Sequence, residues 1–233
     1  MRITWFGHSA FKLEFADKIV LIDPFIAGAG QFKGDIAAAT RGTTHIILTH
    51  GHADHVGETV EIAAATGAKL IANFELCMWL AKKGVKSVDP MNTGGMTDQN
   101  GFAVSLVQAF HSSGDEESGV WHQLGHPNGV IIEPLDGPVI YHMGDTAIFG
   151  DMALINKLYA PEIGFVPIGD RFTMGPRIAA YACREYFDFE VVVPCHYATF
   201  PLLQPNADAF EKMMEGLAGT RVQTLQPGGS FEV

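Results

Sequence analysis

Four groups able to bind metal ions fall within six residues in the segment Thr49-His50-Gly51-His52-Ala53-Asp54-His55. Neutral imidazoles and carboxylates are the donors that take a divalent first-row cation, so this string points to metal chemistry before any other. His50 and His52, two apart on an extended stretch, can turn the same way, while Asp54 and His55 stand at the turn into a helix and can address a second point close by. One short peptide can therefore serve two ions. Capping the helix that follows needs one such residue and not four.

Residues of the same types stand elsewhere: His8 in Gly7-His8-Ser9-Ala10-Phe11, Asp23 in Leu21-Ile22-Asp23-Pro24, His111, Asp145 in Gly144-Asp145-Thr146, and His196 in Pro194-Cys195-His196-Tyr197. Taken singly, each has an ordinary structural use, a turn for Asp145 or a backbone hydrogen bond for His8. Asp23 is expected to hold an imidazole N–H or a ligand loop from behind. Arg171 and Arg177 flank a Gly-containing loop and are candidates for binding a substrate anion, with solvated surface arginine as the alternative. His122 and His126 are four apart but Gly125 and Pro127 enclose the second, which argues against one helix face.

The elements that must position these groups follow from apolar periodicity. Ile3 to Phe6, Ala10 to Phe15 and Ile19 to Ile22 alternate and read as a β-meander. His45 to Leu48 is a buried strand feeding the polar loop, and a helix is expected from about Val56 to Thr66, stopped by Gly67 in a left-handed cap. Lys69 to Ala72 returns as a strand and Phe74 to Lys83 as a helix stopped by Gly84. Asn100-Gly101 is a hairpin signal, followed by a long alternating strand, Phe102 to Phe110. The second half repeats this grammar, with strands at Val130 to Glu133 and Val139 to His142 around Asp136-Gly137, a helix near Met152 to Tyr159 and a strand at Ile163 to Ile168. A helix at Arg177 to Phe187, a strand at Val191 to Cys195, a helix around Ala207 to Leu217 and strands near Val222 and Phe231 complete the pattern. Two α+β halves of this kind predict an α/β chain with two sheets packed face to face and helices on the outer faces.

Composition narrows the class of function. The 233 residues are 47% hydrophobic and 18% charged, which is ordinary globular composition with room for a large core. Against 15 Lys plus Arg stand 26 Asp plus Glu, a formal net charge of −11 that repels polyanions and anionic membranes. No window approaches the roughly 18 apolar residues of a membrane span, and Met1 to Ala10 lacks the apolar stretch of a signal peptide. Cys77, Cys183 and Cys195 are too few and too scattered for a disulfide framework. A cytoplasmic protein is expected, one domain over residues 1–233, with a small-molecule substrate, no nucleic acid and no membrane insertion, and with homo-oligomerisation left open.

The His-x-His-x-Asp-His string resembles the signature of the metallo-β-lactamase superfamily, and the resemblance runs through nearly the whole chain. In that superfamily the next ligand is a His ending a strand, matched by His111, then an Asp ending a strand, matched by Asp145, and last another strand-end His, matched by His196. Gly7 to Phe11 and Leu21 to Pro24 match as well. Within the superfamily the chain is similar to a branch of small metal-dependent hydrolases that includes ascorbate-6-phosphate lactonase and, more distantly, the phospholipase D acting on N-acylethanolamine lipids.

The resemblance implies an αββα sandwich of two mixed β-sheets. It implies one metal on His50, His52 and His111, another on Asp54, His55 and His196, and Asp145 bridging them. Two divalent ions are expected, zinc first, with manganese, nickel or iron open because the string holds no thiolate. The implied reaction is hydrolysis of an ester, lactone, amide or phosphoester by a hydroxide held between the metals, with Asp54 or His8 passing a proton to the leaving group. Two divalent ions against two carboxylates and a hydroxide leave the centre near about +1, which draws an anionic substrate. The alternatives are a phosphodiesterase or nuclease of the same superfamily, which the acidic charge disfavours, and a non-catalytic metal-binding module. A diiron oxygen-reducing enzyme would carry Glu in place of His52 and a flavin domain. The segment Ser112 to Gly129 is expected to cover the site, and Cys195 to face away from it if His196 faces the metals.

Overall fold

In the computed structural model, which describes all 233 residues, the chain begins with β1 (Arg2–Gly7), β2 (Ala10–Phe15), β3 (Lys18–Ile22), α1 (Ile36–Ala39), β4 (His45–Ile47), α2 (Ala53–Val56), α3 (Thr59–Thr66), β5 (Lys69–Asn73), α4 (Phe74–Lys82) and β6 (Val88–Met91). It continues with β7 (Met96–Asp98), β8 (Phe102–Gln108), β9 (Gly114–Glu117), β10 (Val120–Gln123), β11 (Asn128–Pro134) and β12 (Ile140–His142). The last part holds α5 (Met152–Tyr159), β13 (Ile163–Pro167), α6 (Pro176–Tyr186), β14 (Val191–Cys195), α7 (Asp208–Met214), β15 (Arg221–Val222) and β16 (Ser230–Glu232). This is the α/β class expected, with two seven-stranded mixed sheets and helices.

Two compact units divide the chain. Unit 1 comprises Met1–Thr93, Ser112–Pro127 and Leu225–Val233. Its sheet runs β16-β1-β2-β3-β4-β5-β6, antiparallel through the meander and parallel from β3 onward. The parallel strands read as continuous apolar runs because both of their faces are covered, and α3 and α4 cover one of them. Ile62 and Ala63 of α3 and Leu76, Cys77 and Leu80 of α4 pack with Leu21, Ile46, Leu48, Leu70 and Ala72 of the sheet.

Unit 2 comprises Gly94–His111 and Asn128–Thr224. Its sheet runs β15-β14-β13-β12-β11-β8-β7, with antiparallel pairing from β7 to β12 and parallel pairing from β12 to β15. Asn100 and Gly101 turn the β7–β8 hairpin at φ 54° and 119°, the left-handed pair that Asn-Gly favours.

Several expected boundaries shift. The helix expected from Val56 to Thr66 is two helices, α2 and α3, broken at Gly57, whose φ is 44°. A Cβ on Gly57 would lie 2.3 Å from the carbonyl oxygen of Pro24, so only glycine lets α2 butt against the Asp23 turn. Asp54 and His55 consequently sit inside a helical turn. The strand expected to end at Phe110 ends at Gln108, while the one before Asp145 ends at His142 as expected, so His111 and Asp145 each stand three residues beyond their strands. The segment Ser112 to Gly129, expected to cover the site, contains the β9–β10 hairpin and the first two residues of β11. No helix is long and apolar enough to cross a membrane.

Candidate metal centre

In unit 1 the ligand string is oriented from beneath by one carboxylate. β3 and β4 are parallel neighbours, so Asp23 and Thr49 leave the sheet at the same end. Buried Asp23 accepts from Thr49 N (2.8 Å) at Oδ1 and from Thr49 Oγ1 (2.6 Å) and His55 Nδ1 (2.7 Å) at Oδ2. A proton fixed on His55 Nδ1 leaves Nε2 as a bare lone pair. Thr49 Oγ1 has given its own proton to Asp23, so it accepts from His50 Nδ1 (2.9 Å), and His50 likewise presents a bare Nε2. That nitrogen lies 2.9 Å from His52 Nδ1.

Asp54, in the first turn of α2, places Oδ2 3.1 Å from His8 Nε2. The ligand atoms of His8, Asp54 and His55 lie within 4.8 Å of one another. His8 is wholly buried at φ 49°; its N–H donates to Gln31 Oε1 (2.8 Å) and its carbonyl accepts from Trp5 Nε1 (3.0 Å), so its ring is aimed by a fixed backbone.

The β9–β10 hairpin is sewn to this loop. Ser113 Oγ accepts from Gly51 N (3.0 Å) and donates to Leu124 O (3.0 Å), while Ser112 Oγ lies 3.3 Å from His52 Nε2. On its other side the hairpin is anchored to α4 and both of its caps, through the Lys83–Glu117 ion pair, the Trp79–His122 ring contact (4.3 Å between centroids) and Asn73 Nδ2 donating to His126 O (3.0 Å). His122 and His126 thus do separate structural jobs.

Unit 2 brings together His111, Asp145 and His196. Asp145 Oδ2 lies 3.0 Å from His196 Nε2 and 3.5 Å from His111 Nε2. Thr146 secures two of these segments: its Oγ1 accepts from Phe110 N (3.0 Å) and donates to Ala147 O (2.7 Å), and Ala147 N donates to Phe110 O (3.1 Å). Buried His142 adds an acceptor, its Nδ1 taking the N–H of Gly144 (3.0 Å) and shaping the turn into Asp145. His196 follows β14 at φ 57°, a left-handed backbone that lies outside the alternation of the strand. Behind it lies Gly169, where a Cβ would stand 2.0 Å from the His196 carbonyl oxygen. Asp170 and Arg171 follow at φ 63° and 45°. Such conformations cost about 1–3 kcal/mol each and concentrate at functional sites. Arg171 and Arg177 are both exposed.

These donors fit a divalent cation. The 2.9 Å between His50 Nε2 and His52 Nδ1 is within reach of two nitrogens on one ion with bonds of about 2.0–2.1 Å. Cysteine is not part of the set: burial pushes the Cys77 and Cys183 thiols up to about 12, which keeps them protonated and inert. Sequence reasoning assigned no role to Thr49, Thr146, His142 or Gly169. Thr49 had a visible signal, since it begins the ligand string; the others act through backbone contacts that no residue pattern announces.

A family model described as the β-lactamase superfamily domain matches residues 2–196, ending on His196. A protein of Methylobacterium nodulans named a metal-dependent hydrolase is 55% identical over 230 residues, covering 97% of this chain and 96% of its own. One of Methylocella silvestris with the same description is 55% identical over 229 residues, 98% of each chain. Among solved structures, Igni18, described as a novel metallo hydrolase from Ignicoccus hospitalis, superposes with a TM-score of 0.88 at 34% identity, covering 100% of this chain and 98% of its own.

Proposed function

Because the chain belongs to the β-lactamase superfamily and is one of its metal-dependent hydrolases, we propose that it cleaves an ester, lactone, amide or phosphoester bond of a small anionic substrate at a two-metal centre. The observation that carries this reading is the set of hydrogen bonds made by Asp23 and Thr49, which puts the protons of His50 and His55 on Nδ1 and so leaves their Nε2 atoms unprotonated, as ligation of a cation requires.

In the proposed ligand set His50, His52 and His111 would hold one ion and Asp54, His55 and His196 the other, with Asp145 as a ligand available to both. Zinc is the first expectation, with manganese, nickel or iron as alternatives. When bound, the ions would supply a nucleophile from water near neutral pH and polarise the scissile group. Asp23 and Thr49 keep His50 and His55 in the tautomers that ligation requires. Asp54 and His8 share a proton across 3.1 Å, and this pair is the carrier that passes it to the leaving group. The whole chain acts as a single metallo-hydrolase domain, in keeping with relatives that match it nearly end to end. The cytoplasm is the proposed compartment, in keeping with three buried free thiols, and a net charge of −11 supports a small-molecule substrate over a nucleic acid.

The test is elemental analysis of protein reconstituted with zinc or manganese, with turnover of a lactone, ester, amide and phosphodiester panel by wild type, Asp145→Ala and His8→Gln. We expect about two metals per chain. Turnover should fall in Asp145→Ala by more than about a thousandfold together with metal content, and in His8→Gln by about a hundredfold with metal retained. Failure to take up metal, or undiminished turnover in Asp145→Ala, overturns the assignment.

A further inference from the structure

The loop joining β13 to α6 is fastened at both ends to ligand-bearing segments of unit 2. Met174 N donates to the carbonyl of Thr146 (3.1 Å), the residue after Asp145, and Asp170 N donates to Met174 O (3.1 Å). At the other end Gly169 accepts from Gln204 N (3.0 Å) and lies against His196, where a Cβ would be 2.0 Å from the carbonyl oxygen. Arg171 stands at the crown of this loop, two Cα steps and no more than about 7.6 Å from Gly169. Its side chain is exposed, and it makes neither a hydrogen bond nor an ion pair although the chain carries 26 acidic residues against 15 basic ones. The consecutive left-handed residues Asp170 and Arg171 fix where this cation leaves the loop.

A second surface stands beside the same ligands. Phe110 precedes His111 and is 54% exposed, yet it is held rigidly. Its N–H is taken by Thr146 Oγ1, its carbonyl by Ala147 N, and its ring packs on Phe149 with centroids 5.3 Å apart. An aromatic ring immobilised in this way, and still open to solvent, is suited to contact an apolar ligand.

We propose that Arg171 binds the anionic group of the substrate and Phe110 contacts its apolar body, so that the substrate is a small amphiphile carrying a carboxylate or a phosphate. This rests on the hydrolase reading above. A guanidinium recognises either anion through paired N–H donors, which a lysine in its place reproduces only as a point charge. Arg177, also exposed but in the first turn of α6, lacks the link to His196 and Asp145 and serves as the control.

Titration calorimetry of the metal-loaded protein with phenyl phosphate, 4-phenylbutyrate and neutral 4-phenylbutanamide tests this. Wild type should bind one of the anions at least tenfold more tightly than the amide, and that anion identifies the group recognised. Arg171→Ala should lose at least tenfold for the anion with amide affinity and metal content unchanged, Arg171→Lys should lose less, and Arg177→Ala should match wild type. Phe110→Ala should weaken all ligands alike. Equal losses for anion and amide, an Arg177→Ala effect of the same size, loss of metal from Arg171→Ala, or no preference for either anion in wild type each overturn the proposal. A protein that binds the anion through Arg171 while cleaving nothing in the panel would refute the hydrolase reading alone.

Discussion

Unit 1 orients its imidazoles with a buried charge, whereas unit 2 seats its ligands by backbone fit. In unit 1 one carboxylate accepts three hydrogen bonds, from Thr49 N, Thr49 Oγ1 and His55 Nδ1, and through Thr49 it also orders His50. In unit 2 the equivalent work falls to Thr146, whose hydroxyl and carbonyl tie three loops together, and to the absence of a side chain at Gly169. A carboxylate that accepts from an imidazole decides where the proton sits as well as where the ring points. A glycine decides position only. The two units should therefore fail differently when their supports are removed.

The largest effect is expected at Asp23. Asp23→Asn keeps the size and one acceptor, but its amide nitrogen cannot accept from His55 Nδ1 and Thr49 Oγ1. The His55 proton is then free to move to Nε2, which blocks ligation. We expect metal affinity to fall by about 10–100-fold, and stability by about 2–4 kcal/mol as a buried network is broken. Chelator competition and urea unfolding measure the two. Wild-type metal affinity in this variant would erase the distinction between the units.

Gly169→Ala should follow. Its methyl group must displace the His196 carbonyl, so overpacking is expected to cost about 1–3 kcal/mol and to weaken metal binding. The pH dependence of metal binding should keep its wild-type shape, because no proton position depends on Gly169. Gly150→Ala, where nothing lies within 4 Å of the added carbon, is the matched control. A Gly169→Ala protein whose metal-binding pH profile shifts as Asp23→Asn does would show that both halves are held electrostatically.

This difference also explains what the sequence disclosed. The unit 1 string could be read directly, because four donors on one short loop have no ordinary structural use, and Asp23 announced itself as a turn carboxylate before Pro24. The unit 2 ligands stand in the loops that follow three separate strands, and each alone is an unremarkable His or Asp. Only the order implied by the family resemblance singled them out. Most strands and helices were legible from alternation and from glycine stops. α5 and β14 fell on their expected ends because apolar periodicity and turn residues agree there. The break between α2 and α3 was not legible, since it arises where Gly57 meets the backbone of Pro24 and Phe25, more than thirty residues away in sequence. The β9–β10 hairpin was missed because its strands, Gly-Asp-Glu-Glu and Val-Trp-His-Gln, carry little apolar alternation and are held by side chains of α4.

Thr146→Val separates hydrogen bonding from shape in unit 2. The substitution is nearly isosteric and removes the acceptor of Phe110 N, so about 1–2 kcal/mol of stability should be lost. If backbone fit holds this unit, the loss should come with loosening at both Phe110 and Asp145, seen as faster amide exchange in the two segments together. Exchange confined to Phe110 would show that Thr146 supports only one of them.

The smallest effect is a pH response placed in unit 1. His45 opens β4, the strand that leads into the ligand loop, and burial, followed by the charges of Lys69 and Lys18, pushes its pKa down from 6.5 to about 4. The folded state thus keeps His45 neutral where the unfolded chain already binds a proton. Its contribution is complete above pH 6.5 and is lost as the pH falls toward 4. Discounted for solvent screening, the loss is about 1–2 kcal/mol. In His45→Gln the difference in unfolding free energy between pH 7 and pH 5 should shrink by most of that amount. Amide exchange in β4 and β5 of wild type should also rise at pH 5 before that in β13 and β14. Equal slopes in the two proteins would remove His45 from the response, and simultaneous loosening of both sheets would show that acid acts on the two units as one.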